Sequence, residues 1–416
     1  MHASGNDNGS TMTRHPALSA LTPALATPLP RVLRPQRAVP SDAVRPTRAE
    51  VNLAHLRHNL RHVQRAAGGA AVWAVLKADG YGHGAKAVAR TLERAGANGI
   101  CVALLEEGIE LREAGIQVPI LITGGYYGRA WGELLRHDLT PVVHDPAQLE
   151  AIADEVRFSG SEAHKIHVKI DTGMARLGIL PADVSAMAKA ILRFPEVKLQ
   201  GLMTHFACAD SSDPESIDHQ LDLFEAATLA MRKEGLVPEL RHAANSAALL
   251  KTPRACYDVV RPGIALFGVQ PAAGLCPELR PVMRVRTEIA ALRDLPAGAP
   301  IGYGATFHTT RPSRIATVPV GYADGFSRGL SNRGSLLVRG KRAPVVGTVS
   351  MDMTMLDVSE ITDVHVGDEC VVLGSQKGPL GQDEIRAEEI ARTLGTIPWE
   401  ILTDISRRVP RFYREP

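Results

Sequence analysis

Hydrophobic runs separated by helical or polar stretches recur eight times between residues 72 and 268. The runs are "AVWAVLKA", "ICVALL", "PILIT", "TPVVH", "IHVKID", "KLQGLMTHF", "LRHAANS" and "YDVVRPGIALFG". Several are apolar at every position rather than at alternate ones, which is typical of parallel strands covered on both faces. Ahead of them, the segment "VNLAHLRHNLRHVQRAA" predicts a helix whose apolar face carries Leu53, Leu56, Leu60 and Val63.

Eight strand–helix repeats of this kind predict an α/β fold, a TIM-like (β/α)8 barrel spanning residues 49–280. A doubly wound open sheet is the structural alternative with the same pattern. After residue 280 the chain changes to short alternating runs broken by Gly and Pro, such as "SRIATVPVGYADGF" and "VGDECVVLG". These runs indicate antiparallel strands. We therefore predict a mostly antiparallel β domain at residues 281–416, with one late helix near "AEEIARTLG".

Residues 1–48 have a different texture. The stretch "TPALATPLPRVLRPQRAVPSDAVRPTR" is rich in Pro, Ala and Arg, contains few acids and has no apolar periodicity. Proline at this density prevents a continuous helix, and the segment lacks the unbroken apolar core of a secretory signal. The sequence predicts a disordered Pro/Arg-rich extension here, with an Arg-rich targeting peptide as the alternative.

Composition narrows the function classes. The formal net charge is +2, and the body of the chain carries no basic block, so nucleic acid is not an expected partner. Apolar runs stay well below the roughly 20 residues needed to cross a membrane, so no membrane association is expected. The five cysteines are scattered, odd in number and without a CxxC pair. Their spacing predicts neither a disulfide framework nor a zinc or other metal site, and indicates a reducing, cytoplasmic location.

Polar residues follow the apolar runs where each predicted strand ends, and barrel active sites lie at those ends. The residues are Lys77, His144, Lys169 with Asp171, His205, Asn245 with Ser246, and Arg261 with Gly263. A single polar residue at a strand end is usually explained by solvation. The full set favours convergence on one pocket.

Lys77 closes an apolar strand and is followed by "ADGYGHGA". Such a lysine either extends to water or is a desolvated amine with a lowered pKa, nucleophilic toward a carbonyl. The glycines after it permit close approach of the backbone to a ligand, and Tyr81 offers a hydroxyl to a phosphate, which favours the second interpretation. The turn is neither a Walker A loop nor a GxGxxG dinucleotide turn.

The segment "AVLKADGYGHG" resembles the pyridoxal-phosphate lysine motif of alanine racemases. The similarity recurs in order in "HVKIDTGMARLG", "LMTHFACAD", "HAANSAA", "RPGIALFG", "IGYGATF", "VPVGYADGF", "TVSMDM" and "GTIPWEILTDISRRVPRFY". It covers about residues 49–414. The resemblance implies a barrel followed by a β domain, pyridoxal 5'-phosphate as cofactor, and a head-to-tail homodimer whose subunits share active sites. The implied reaction interconverts L- and D-alanine and supplies D-alanine for peptidoglycan.

The resemblance assigns the proton transfers to two residues. Lys77 matches the lysine that holds the cofactor as an aldimine and moves a proton on one face of Cα. Tyr303, in "GYGATF", matches the tyrosine that acts on the opposite face from the other subunit. An ordinary phenol, with a pKa near ~10, must be activated for this role, and His205 with the adjacent Arg261 is the implied partner. Arg261 also matches the arginine facing the pyridine nitrogen; because arginine keeps its proton, it should favour racemisation over transamination.

Further cofactor contacts follow from the same motifs. The phosphate is expected among Tyr81, the Ser246 hydroxyl and the backbone N–H groups of Gly263 and Ile264. One departure concerns "GTIPWE", where Trp399 replaces a tyrosine whose hydroxyl usually reaches the phosphate. Indole is larger and only donates, so cofactor affinity and pocket volume are expected to differ from the family.

The substrate contacts implied by the resemblance come from both subunits. Arg176 matches the arginine that orients the substrate carboxylate, and Lys169 matches a lysine that is often carbamylated and thus anionic toward Arg176. Met351 and Asp352 match the carboxylate end of the pocket, contributed by the partner. Tyr322 matches a tyrosine that narrows access. Asp171 is expected to support its loop, and "ITGGYYG" departs from the family version of that segment.

Three alternatives stay open on the sequence. A broad-specificity or serine racemase shares every catalytic residue. A pyridoxal-phosphate basic-amino-acid decarboxylase has the same two-part fold but uses a cysteine where this chain reads "VSMD". A cofactor-carrying homeostasis protein is a lone barrel, and the β domain and Tyr303 speak against it.

Overall fold

The computed structural model describes residues 44–125, 130–211 and 215–415. The predicted disordered extension lies outside the described residues up to residue 43, and the last three residues of the "ITGGYYG" departure lie outside them too. Within the described segments, every helix is too short or too polar to span a lipid bilayer.

A short strand, β1 (Arg48–Asn52), precedes the predicted barrel. The eight barrel strands are β2 (Ala71–Val75), β3 (Gly99–Val102), β4 (Ile120–Ile122), β5 (Leu139–Val143), β6 (His164–Lys169), β7 (Val197–Met203), β8 (Leu240–His242) and β9 (Val259–Val260). Parallel pairing runs from β8 in descending order to β2 and then to β9. Backbone hydrogen bonds from Asp258 to Arg241 and from Arg261 to Ala244 link β9 to β8. The barrel is thus nearly closed, which confirms the predicted fold over the open-sheet alternative.

The helices are α1 (Leu53–Ala66), α2 (Lys77–Tyr81), α3 (Ala85–Arg94), α4 (Leu105–Glu113), α5 (Trp131–Arg136), α6 (Pro146–Ser159), α7 (Val184–Leu192), α8 (Glu215–Lys233), α9 (Ser246–Lys251), α10 (Ala387–Leu394) and α11 (Pro398–Asp404). Helices α1 to α9 precede or connect the barrel strands, whereas α10 and α11 lie near the end of the chain. The four apolar residues predicted on one face of α1 are all buried, and the Asn52 side chain caps its first turn. The predicted late helix is α10. The sequence pattern did not identify α11.

The remaining strands build a second, mostly antiparallel region. They are β10 (Met283–Glu288), β11 (Ala291–Leu295), β12 (Pro300–Ile301), β13 (Phe307–His308), β14 (Ser313–Val318), β15 (Ser335–Val338), β16 (Lys341–Pro344), β17 (Thr354–Asp357), β18 (Glu369–Gly378), β19 (Gly381–Ile385) and β20 (Arg411–Arg414). The main sheet of this region has the order β16-β15-β18-β10-β1-β20, with β19 paired to β18. This region confirms the antiparallel sheet expected from the alternating runs.

The sequence pattern did not identify β1 as a strand, and its sheet partners are far away along the chain. It pairs antiparallel with β10 and parallel with β20, so the chain contributes to the second sheet before it builds the barrel. Glu50, at the centre of β1, is 4% exposed and forms ion pairs with Arg284, Arg286 and Arg414. Buried carboxylates need such partners, and these arginines are distant in sequence.

The lower interior of the barrel is filled by side chains. Trp73, Cys101, Leu121, Val142 and Met203 belong to one buried cluster. Gly201 lies beside the His167 ring in this region. A Cβ at residue 201 would lie 2.4 Å from that ring, so a side chain does not fit there. The filled interior leaves open space at the carboxyl ends of the strands, where the functional site is expected.

Candidate active site

A cavity of about 470 Å³ lies at the carboxyl ends of the barrel strands. It gathers ten of the residues that the sequence analysis placed in the site: Lys77, Tyr81, Lys169, Arg176, His205, Ser246, Arg261, Gly263, Ile264 and Trp399. Asn245 also lines it. Seven of the nine polar and glycine residues predicted at strand ends therefore line one pocket.

Asp171 and His144 do not belong to the described lining of this cavity. The Asp171 carboxylate instead accepts hydrogen bonds from the backbone N–H groups of Gly173, Met174 and Ala175. It thereby organises the loop that carries Arg176, in agreement with the supporting role expected for it.

Lys77 begins an unusual turn. Ala78, Asp79, Gly80 and Tyr81 all have positive φ angles, so α2 continues in the left-handed region after its first residue. Glu107 stabilises this strained turn, because one of its carboxylate oxygens accepts a hydrogen bond from the Ala78 backbone N–H at 2.6 Å. The turn directs Tyr81 into the buried part of the site while Lys77 stays at its mouth.

The amine of Lys77 is accessible through the opening of the cavity in the single chain. The pKa of this amine is nevertheless lowered, mainly because surrounding protein atoms displace water and also because Arg176 lies nearby. A lowered pKa increases the neutral fraction of the amine, which is the form that attacks carbonyls and accepts protons.

Tyr81, Ser246 and Gly263 lie close together and all line the cavity. Their polar atoms can therefore form hydrogen bonds with a ligand bound there. Ser246 Oγ accepts a hydrogen bond from the Gly263 backbone N–H at 2.9 Å. Since the oxygen is already an acceptor there, the hydroxyl proton is available to donate toward the cavity. A Cβ at residue 263 would lie 2.4 Å from the Tyr81 hydroxyl oxygen, so only glycine permits this approach. The Tyr81 and Ser246 hydroxyls fit a phosphate group, and the Gly263 backbone, without a side chain, allows the phosphate to approach closely.

Arg261 is 4% exposed and belongs to a buried polar network. Its Nη1 donates to His242 Nδ1 at 2.8 Å, and its Nη2 donates to the backbone oxygen of Thr204 at 2.6 Å. Because His242 accepts on Nδ1, its proton lies on Nε2 and is donated to His167 Nδ1, 2.7 Å away. Burial lowers the pKa of Arg261 to about 10, so the guanidinium remains protonated at neutral pH.

His242 and His167 were not predicted from the sequence as parts of this network. His205 was expected to share a network with Arg261, whereas the described hydrogen bonds of the Arg261 guanidinium go to His242 and to backbone oxygens. Arg261 affects His205 electrostatically. Burial, followed by the positive charge of this guanidinium, lowers the pKa of the His205 imidazole to about 3. The signal available in the sequence was a histidine in each of the strand-forming runs "IHVKID" and "LRHAANS"; both histidines are buried.

The cavity is strongly cationic. Lys77, Lys169, Arg176 and Arg261 all line it. Burial, followed by the charges of Arg176 and Arg261, lowers the pKa of Lys169 to about 8. Such a pocket favours ligands that carry negative charge, and a phosphate and a carboxylate both satisfy this requirement. The residues present therefore fit the phosphorylated cofactor and the amino acid that the resemblance implies.

Four predicted site residues lie elsewhere on the described chain. Tyr303 is 75% exposed, Met351 52% and Tyr322 43%, and Asp352 is also exposed and pairs with Arg408 at 2.7 Å. None of the four contributes to the described lining of the Lys77 cavity. Trp399, by contrast, reaches that cavity because α11 returns to the barrel, and its backbone oxygen accepts from Thr403 within this helix.

Comparison with known proteins gives matches over nearly the whole chain. The family models described as "Alanine racemase, N-terminal domain" and "Alanine racemase, C-terminal domain" match residues 51–271 and 282–413. An alanine racemase of Sorangium cellulosum is 58% identical over 90% of this chain and all of its own length.

Solved structures agree with these matches. The alanine racemase of the D-cycloserine producer Streptomyces lavendulae has a TM-score of 0.83 and 37% identity, over 90% of this chain and 98% of its own. The alanine racemase of Bartonella henselae with covalently bound pyridoxal phosphate has a TM-score of 0.80 and 28% identity, over 88% of this chain and 99% of its own. The chain therefore belongs to the alanine racemase family, whose members depend on pyridoxal phosphate.

Proposed function

We propose that this chain interconverts L- and D-alanine by a two-base mechanism, in which Lys77 of one subunit and Tyr303 of a second copy act on opposite faces of the substrate Cα. The proposal depends on one observation, which is that Lys77 and Tyr303 lie in different places on the single chain. Lys77 lies in the cationic cavity, whereas Tyr303 lies outside its described lining and is 75% exposed. A second copy that covers the cavity mouth would bring the two groups together.

The cavity residues have distinct parts in holding pyridoxal phosphate. Ser246, Tyr81 and the backbone N–H groups of Gly263 and Ile264 would bind the phosphate. Arg261 would face the ring nitrogen, and Trp399 would close the phosphate end. When bound, the cofactor supplies an electron-withdrawing ring that acidifies the α-hydrogen of the amino acid.

Lys77 is suited to bond the cofactor and then to move a proton. Its pKa is lowered by burial and by the nearby charge of Arg176, which increases the neutral fraction of the amine that can accept a proton. The left-handed turn held by Glu107 fixes the position of the amine at the cavity mouth. Positioning of this kind is a large part of proton-transfer catalysis.

Arg261 supports racemisation rather than transamination. Its guanidinium donates to His242 and to backbone oxygens and keeps its proton at neutral pH. Facing a bound cofactor, a guanidinium that keeps its proton would leave the ring nitrogen unprotonated. Arg261 would thereby favour return of the proton to Cα, and Arg261→Glu should raise transamination side products.

Arg176 would bind and orient the substrate carboxylate together with Met351 and Asp352 of the second copy, while Tyr322 would narrow the access channel. The cation pair of Lys169 and Arg176 suggests an anion between them. We therefore propose that Lys169 is carbamylated, since the lowered pKa of its amine makes the neutral, reactive form available near pH 8. A carbamate would turn a repulsive contact into an attractive one.

The homodimer is supported by the exposed residues of the second sheet region. Tyr303, Tyr322, Met351 and Met353 expose large side chains to solvent in the single chain. Burying them against a second copy at the mouth of the cavity would remove this apolar surface from water. We also propose a barrel at residues 49–280 and a β domain at 281–416, with β1, at the start of the first range, contributing to the sheet of the second. We further propose a cytoplasmic location and the supply of D-alanine for peptidoglycan as the biological role.

Circular dichroism or a coupled assay of the purified protein with L-alanine tests this function directly, with Lys77→Ala as the inactive reference. Reconstitution with pyridoxal phosphate should give a coloured protein. A colourless protein after reconstitution would overturn the proposal. Values of kcat/KM for alanine, serine and lysine then decide the substrate, and a preference for a larger side chain would argue against alanine.

A further inference from the structure

Outside the active site, metal-binding side chains meet between α1 and the loop that connects the barrel to β10. One ligand atom each of His62, Cys276 and Glu278 lies within 4.8 Å of the others. The Cys276 thiol also lies 3.5 Å from a Glu278 carboxylate oxygen. His58, one turn before His62 on α1, has its ring centroid 4.4 Å from that of His62, and its Nε2 contacts the Glu278 backbone oxygen at 3.0 Å.

We propose that His62, Cys276 and Glu278 form a binding site for a zinc-class divalent cation, with His58 as the fourth ligand. Thiolate, imidazole and carboxylate are all zinc ligands, and thiolate with imidazole disfavours Mg²⁺ and Ca²⁺, which prefer oxygen. Binding forms a bond from Cys276 Sγ to the cation, and the thiol proton passes to solvent.

The geometry needs only side-chain adjustment. Zinc–ligand bonds of about 2.0–2.3 Å place tetrahedral ligand atoms about 3.5 Å apart. Cys276 is buried and forms the fixed side of the site, whereas Glu278 is exposed and the His62 ring is half-buried, so both can rotate toward it. The Arg65 Nη2 atom now lies 3.0 Å from His62 Nδ1. Arg65 is exposed at the end of α1 and has room to swing into solvent.

The position of the site gives it a structural role. The loop that carries Cys276 and Glu278 also contributes Pro271 to the active-site cavity. A cation bound to α1 on one side and to this loop on the other would restrain the connection between the barrel and the second sheet. The spacing of the cysteines predicted no zinc site, because the ligands come from chain segments more than two hundred residues apart.

Zinc titration of the full-length holoenzyme tests the proposal. Zinc chloride is added to the protein against a competing chromophoric chelator, for the wild type and for Glu278→Gln, His62→Gln and Cys276→Ser. We expect the wild type to bind one zinc ion per chain at this site, and each variant to weaken that binding by about 10-fold or more. Cys256→Ser, which removes a half-buried thiol elsewhere, is the matched control and should bind zinc like the wild type.

Cobalt provides a second readout that does not depend on affinity alone. Co²⁺ in the wild type and in Cys256→Ser should show a thiolate charge-transfer absorption that Cys276→Ser lacks. Glu278 is exposed, so Glu278→Gln keeps the test valid even if the buried Cys276→Ser variant folds poorly. Zinc binding that is equal in the wild type and all three ligand variants, or no binding in the wild type, would overturn the proposal.

Discussion

The cavity at the top of the barrel and the exposed residues around Tyr303 differ in how complete they are within one chain. The cavity has its cations, hydroxyls and backbone donors in place, and a buried network of Arg261, His242 and His167 supports it from below. Tyr303 stands between two glycines with positive φ angles and is largely exposed. A single chain therefore forms the whole of the proposed cofactor pocket, while the proposed contribution of Tyr303 requires a second copy.

Removal of the Lys77 amine should have the largest effect on the cavity side of this comparison. We expect Lys77→Ala to lower kcat for alanine racemisation by about 10⁴-fold or more, because general acid–base catalysis and the cofactor bond are lost together. Proton exchange at Cα in deuterated water measures the rate. Lys86→Ala, which alters an exposed lysine paired with Glu110, is the control and should keep wild-type activity. Comparable rates in both variants would contradict the role of Lys77.

Tyr303→Phe should lower kcat by about 10²- to 10⁴-fold, since it removes only the hydroxyl that we propose to move the proton. Tyr257→Phe, which removes a barrel-surface hydroxyl bonded to Glu225, is the matched control.

A mixed dimer makes the comparison sharper. Co-expressed Lys77→Ala and Tyr303→Phe chains should recover activity, because shared sites place both lesions in one site and leave the other intact. Activity that stays at the level of the separate variants would show that the two residues serve the same chain's site.

A substitution in the buried network of the barrel should lower the free energy of unfolding, whereas one at an exposed position of the second sheet region should not. His242→Leu would leave the Arg261 Nη1 donor without its acceptor in the interior, and we expect the free energy of unfolding to fall by about 3 kcal/mol. Urea denaturation of the variant measures this change. His308→Ala, at an exposed position in β13 of the second sheet region, should leave the free energy of unfolding nearly unchanged. Equal stability of the two variants would argue against the network.

The lowered pKa of Lys169 should make the free energy of unfolding depend on pH. Its pKa is near 8 when folded and 10.5 as the reference value, so between these pH values the unfolded chain binds the extra proton. Stability should therefore rise with pH across that window, and the penalty for burying the charged amine, up to about 3 kcal/mol, is fully present below pH 8. In bicarbonate-free buffer, Lys169→Met should be more stable than the wild type at pH 7 and should lose this advantage toward pH 10.5.

Denaturation at a series of pH values measures the effect of Lys169→Met. Lys165→Met, an exposed position on the same strand, should show no such trend. A constant difference between Lys169→Met and the wild type at all pH values would contradict the assignment of a depressed pKa to this buried amine.

The smallest expected effect concerns the indole at the edge of the cavity. Trp399→Tyr restores a hydroxyl beside the proposed phosphate position, and one hydrogen bond of about 0.5–1.5 kcal/mol would tighten pyridoxal phosphate binding about 2- to 10-fold. Absorbance titration of the apoprotein with the cofactor measures this affinity. Weaker binding by the tyrosine variant would indicate that the indole packs against the cofactor better than a phenol does.

Several features were predictable because their signal is local. Continuous apolar runs ending in polar residues identified the barrel strands, and the ends of parallel strands share one face of the barrel, so convergence of Lys77, Lys169 and Arg261 followed. The α1 face followed from helical periodicity. In contrast, β1 has the short, charged sequence "RAEVN", and its strand conformation depends on β10 and β20, which begin at residues 283 and 411.

The site residues that sequence reasoning missed have the same explanation. A histidine inside an apolar strand does not reveal its partner, and only the barrel brings His242 between Arg261 and His167. The left-handed turn after Lys77 is likewise maintained by Glu107, thirty residues further along the chain. The sequence pattern also did not identify α11, which carries Trp399 to the cavity.

The order of the barrel strands, the family motifs and the types of side chain available to the site could all be predicted from the sequence. These follow from periodicity and from the chemistry of single residues. Three features became known only from the tertiary structure. They are the hydrogen-bond network below the cavity, the pairing of β1 with β10 and β20, and the exposure of Tyr303. The reason is that burial, hydrogen-bond partners and electrostatic shifts depend on distances in space between residues that are remote in sequence.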